Sequence, residues 1–71
     1  MLDRDEIREF FRWLEQASDK ELEARQRTFL ELLDQVTDRE VRFDTRFLLK
    51  HLEREMVSRK EIAKVRQMRK K

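Results

Sequence analysis

The chain contains no glycine and no proline, where average usage would place roughly five of the first and three or four of the second in a sequence this long. Without glycine there is no low-cost residue for positive φ. Two-residue hairpin turns, phosphate-cradling loops and nucleophile elbows all lose their usual building material. Ala, Glu, Lys, Leu and Arg supply 40 of the 71 residues, which is the composition of helices rather than strands. The expectation is an all-α protein, a small antiparallel three- to four-helix bundle with short connections.

Helix starts are signalled by one recurring pattern: Asp3-Arg4-Asp5-Glu6, Ser18-Asp19-Lys20-Glu21, Thr37-Asp38-Arg39-Glu40 and Ser58-Arg59-Lys60-Glu61. Each is a capping box. The first side chain can accept from the amide three residues on, and the Glu can reach back to the amide of the cap. Each also carries an apolar staple, pairing Leu2 with Ile7, Ala17 with Leu22, Val36 with Val41 and Val57 with Ile62. The spacing predicts helices over about 4–16, 19–35, 38–56 and 59–70, the first three running up, down and up. The join at Ser58 is the weakest, because no Gly or Pro forces a stop there. The last, basic helix is therefore either separate or continuous with the third.

Apolar residues recur with helical period. Ile7, Phe10, Phe11 and Leu14 form one stripe, Leu22, Phe29, Leu33 and Val36 a second, and Val41, Leu48, Leu52 and Met56 a third. Arg25, Thr45 and Glu55 fall where a sustained heptad seam would need apolar residues, which argues against a long coiled coil. The second and third boxes lie 19 residues apart and align Leu30 with Leu49 and Leu33 with Leu52. That match is read as convergence of two equal helices obeying the same start rules.

On the third helix Phe43 and Phe47 share a face nearly opposite the Val41, Leu48 and Leu52 stripe. Either that helix is central and covered on both sides, or its aromatic face meets a second copy. A 71-residue, 8.9 kDa chain is at the edge of what one core can stabilise, which favours a homodimer. Trp13, at the margin of its own stripe, joins Phe43 and Phe47 as an expected self-association residue.

The net charge of +2 hides a polarised chain. Residues 1–57 carry 11 basic and 15 acidic side chains, net −4, and residues 58–71 carry seven basic and one acidic, net +6. The domain reading follows: a helical core over 1–57 and a basic C-terminal helix or tail over 58–71. Arg59, Lys60, Lys64, Arg66, Arg69, Lys70 and Lys71 are the expected contacts to an anionic partner or nucleic acid. Membrane binding is disfavoured, since this segment has no Trp, Phe or Leu to bury in an interface. Sequence-specific DNA reading is disfavoured as well, because Arg39, Arg42 and Arg46 alternate with Asp38, Glu40 and Asp44 and read as local ion pairing. The acidic start and the lack of any long apolar run give no targeting or membrane-spanning segment, and a cytoplasmic location is expected.

The catalytic inventory is thin: one His, no Cys, no Tyr, two Ser and three Thr. Ser18, Thr37 and Ser58 are accounted for as caps. Asp44, His51 and Glu55 fall on one side of the third helix, but no third metal ligand from another helix is identifiable, so an ordinary His to carboxylate hydrogen bond is the expected role. P-loop and dinucleotide fingerprints both require glycine. The expectation is a non-enzymatic protein-interaction or regulatory adaptor module that self-associates and needs no cofactor or metal. The alternative is a nucleic-acid-binding accessory protein using the basic tail.

Overall fold

The computed structural model describes residues 2–69, with side chains through residue 67. These residues form three helices and no strand: α1 Arg4–Gln16, α2 Asp19–Gln35 and α3 Arg39–Arg69. Asp3 caps α1 by accepting the Glu6 amide at 2.8 Å. Ser18 caps α2 with both halves of the box in place, its Oγ accepting from Glu21 N while Glu21 Oε1 accepts from Ser18 N.

The third start differs from the expectation by one residue. Asp38, not Thr37, caps α3, its Oδ1 accepting from Glu40 N at 2.9 Å and Val41 N at 3.2 Å. A carboxylate reaches two orphan amides and also opposes the positive end of the helix dipole, which a Thr hydroxyl does not. The expected fourth start at Ser58 is not a helix boundary, since α3 runs through it unbroken to Arg69. A serine cap repays a broken backbone ladder with one hydrogen bond, whereas continuing the helix keeps every i to i−4 bond and leaves the hydroxyl in water.

Three sets of contacts set the directions of the helices. Asp19, Gln26 and Leu33 of α2 meet Arg59, Glu53 and Arg42 of α3 in turn, so these two helices run antiparallel. Phe10 packs on Phe29, and Trp13 lies beneath Arg25 of α2. Phe11 meets His51, and Leu14 O accepts from Arg59, which lays α1 along α3 in the same direction. The buried core is Leu14, Ala17, Leu22, Phe29, Leu49 and Leu52, with Leu22 and Leu52 fully enclosed. The principal extents of 51 × 26 × 16 Å are those of a flat, elongated molecule whose long axis follows the 31-residue α3.

The inward face of α3 is rotated from the expected stripe. Leu52 is buried as expected, with Leu48 and Met56 packed against the core, but Val41 is exposed and Thr45 and Leu49 are buried in its place. Thr45 is tolerated in this seam because its hydroxyl donates to Val41 O at 2.7 Å and so brings no unpaired polar group inside.

Candidate functional site

The helix ends explain the rotation. No described residue has positive φ, so neither α1 nor α2 ends in the left-handed residue that normally closes a helix. Ala17 and Val36 leave in extended conformation, and neither helix has a basic residue in its last turn. The orphan carbonyls take donors from α3. Arg59 Nη2 donates to Leu14 O at 3.0 Å and Nη1 to Ala17 O at 2.7 Å, closing the end of α1. Arg42 Nη1 donates to Leu33 O and to Val36 O, closing the end of α2. Arg42, Thr45, Leu49, Leu52, Met56 and Arg59 thus form one seam at alternating three- and four-residue spacing, with a guanidinium at each end.

Arg59 does more than cap. Its Nε donates to Glu55 Oε2 at 2.9 Å, and Nη1 also reaches Asp19 Oδ1 at 3.0 Å, so one side chain ties all three helices together. The Glu55 bond first, and the Asp19 bond after it, push its pKa above the ordinary arginine value. Arg59 was grouped by sequence with the anionic-contact residues; in the fold its donors are committed to the protein itself. The capping role of both arginines is not legible in the sequence, because a C-cap supplied from 6 to 45 residues away leaves no local pattern. The only available signal was indirect: two helices ending without Gly, Asn or a basic last turn.

Of the three aromatic residues expected at a self-association surface, Phe43 and Phe47 lie one turn apart on α3 and Trp13 lies on α1. Trp13 is half-buried, with the Arg25 guanidinium 4.6 Å from its ring centroid and Phe10 beside it at 5.8 Å. Phe47 is half-buried, edge-on to His51 at 4.7 Å. Phe43 is 72% exposed. It lies among Arg39, Glu40, Asp44 and Arg46, a border of mixed sign.

His51 stands edge-on between two phenyl rings, Phe11 at 5.0 Å and Phe47 at 4.7 Å. The carboxylate expected to pair with it, Glu55, is held by Arg59 instead. No cluster of three or more His, Asp or Glu among the described residues could hold a metal ion.

Of the other expected anionic contacts, Lys60, Lys64 and Arg66 are exposed along the last turns of α3. The Arg69 side chain, Lys70 and Lys71 lie outside the described residues. No described helix is long and apolar enough to cross a membrane. No protein-family model matches this chain, and comparisons with curated proteins and with solved structures find no match.

Proposed function

We propose that this chain is a small, non-catalytic interaction module, an up-down-up helical bundle that pairs with a second copy through the face of α3 around Phe43. The observation that carries this reading is a phenylalanine 72% exposed on a molecule with six buried apolar residues among those described. Covering such a ring is worth on the order of 2 kcal/mol, a large fraction of what a core this small can supply. The rim suits a copy of the same chain, because it carries both signs and a two-fold mate presents the same mixed border. Phe47, one turn along, adds its open edge. Trp13 belongs to the packing between α1 and α2. Three of the groups suited to catalysis have structural partners: Ser18 is a cap, Thr45 bonds to Val41 O and His51 is flanked by rings.

Sedimentation equilibrium of the wild type and Phe43→Glu tests the pairing. The wild type is expected at twice 8.9 kDa and the variant at the single mass with unchanged helical signal. A wild type that sediments as a monomer at tens of micromolar, or a variant of unchanged dimer mass, overturns the reading.

A further inference from the structure

The last turns of α3, past Ala63, leave the other helices behind. Asp19 and Leu22, at the start of α2, border Arg59, Lys60 and Ala63, and α1 ends at Gln16. Every side chain from Lys60 to Gln67 is exposed. At about 1.5 Å per residue the stretch from residue 60 to 69 forms an arm roughly 15 Å long.

This arm is not uniformly polar. Val57, Ile62 and Val65 are 55%, 51% and 49% exposed, and at 100° per residue they fall within one sector of about 140°. Lys60 and Lys64 border that sector on one edge and Arg66 on the other. Such a stripe between basic borders discriminates among occupants. Phosphates would engage the lysines and leave the aliphatic stripe wet. A second copy of the arm would match the stripe but set two segments of like charge, net +3 over residues 60–69, against each other. A helix with an apolar seam flanked by carboxylates satisfies both halves, in the way that opposite charges flank the seam of paired helices.

We propose that the arm of α3 docks an acidic amphipathic helix of a partner protein. Val57, Ile62 and Val65 take its apolar seam, and Lys60, Lys64 and Arg66 take its flanking carboxylates. The proposal rests on the reading of the chain as an interaction module, but it uses a surface about 21 Å along the helix from Phe43, counting 14 residues to Val57. Glu61 sits inside the stripe, one turn from both Val57 and Val65, and as the single carboxylate of the arm it opposes such a partner.

The test is fluorescence anisotropy of the full chain against a labelled synthetic helix of about three heptads with Leu at the seam positions and Glu beside them. Its comparisons are the same Leu seam flanked by Lys, an oligoglutamate without Leu, and a short duplex DNA. The Leu and Glu peptide is expected to bind at least about tenfold more tightly than each of the others. Ile62→Ser with Val65→Ser, both at exposed positions, should lose at least about tenfold while keeping the helical signal, and Glu61→Gln should tighten binding several-fold. Equal or tighter binding to oligoglutamate or to duplex DNA overturns the proposal, because charge alone would then be read. Failure of the Leu and Glu peptide to bind overturns it too. Sedimentation of the same samples separates the two readings: a dimer that ignores the peptide removes only the arm, and a monomer that binds it removes only the pairing through Phe43.

Discussion

Arg42 and Arg59 perform at two helix ends what glycine performs in most proteins. A left-handed glycine lets a helix satisfy its own last carbonyls. A guanidinium instead brings several N–H donors in a fixed fork, with a positive charge that also suits the negative end of the helix dipole. Arg59 is the more heavily used, with donors on Leu14 O, Ala17 O, Asp19 and Glu55. Arg59→Met keeps much of the stem but strands these acceptors, and should cost about 2 kcal/mol in urea unfolding. Arg59→Lys should recover only part of that, because a point charge cannot span two carbonyls and two carboxylates.

The pH behaviour of these residue-scale bonds differs in sign. Glu21 is held below the usual carboxylate range by the Ser18 amide that donates to it, and further by the Ser18 hydroxyl. Its folded pKa is therefore lower than its unfolded one. The stability it contributes is full above the ordinary carboxylate range and is lost as pH falls through that range towards the depressed value. Arg59 is shifted the other way, so on the alkaline side its contribution is full below the ordinary arginine value and is lost only as pH rises through the raised one. Glu21→Gln should accordingly flatten the acid limb of a helicity-against-pH curve measured by circular dichroism, and leave the alkaline limb unchanged.

At the scale of elements, the local signals that worked are those whose partners lie within four residues. Asp3 with Glu6 and Ser18 with Glu21 were legible because cap and box are neighbours in the chain. Thr37 yielded to Asp38, where two acceptable caps stood side by side and the charged one won. Ser58 reads as a cap and is not one, because a box can form only if the chain leaves the helix, and Arg59 reaches α1 in phase with Leu52 and Met56 only if it does not. The two roles of Ser58 predict opposite signs. Inside a helix Ser58→Ala should stabilise by about 0.5 kcal/mol, whereas loss of a true cap would destabilise by about 1 kcal/mol; chemical denaturation of this single variant decides between them.

At the scale of the whole molecule, α3 is the spine on which the other elements depend. Its middle buries Leu49 and Leu52 against α2, and its His51 side receives Phe11 of α1. Its far end extends past both. The proposed pairing through Phe43 would make stability depend on concentration, since an associating fold gains stability as it is concentrated. The urea midpoint of the wild type should rise as the chain is concentrated, and that of Phe43→Glu should not. The basic arm was legible from composition because a net charge is a sum that needs no coordinates. Which of its cations remain available was not, because Arg59 is drawn inward by acceptors up to 45 residues away.

Read without coordinates, the residues already say that the chain is helical, where its first two helices begin and end, and that its charge is divided between an acidic body and a basic end. Those properties follow from propensity, from caps closed within a turn and from counting. Packing is what makes α3 one rod, turns Thr45 and Leu49 inward in place of Val41, and leaves Phe43 exposed while Phe47 and Trp13 are half-covered. Each of those outcomes depends on which carbonyls and rings of α1 and α2 come to lie beside α3, and that depends on all three helices at once.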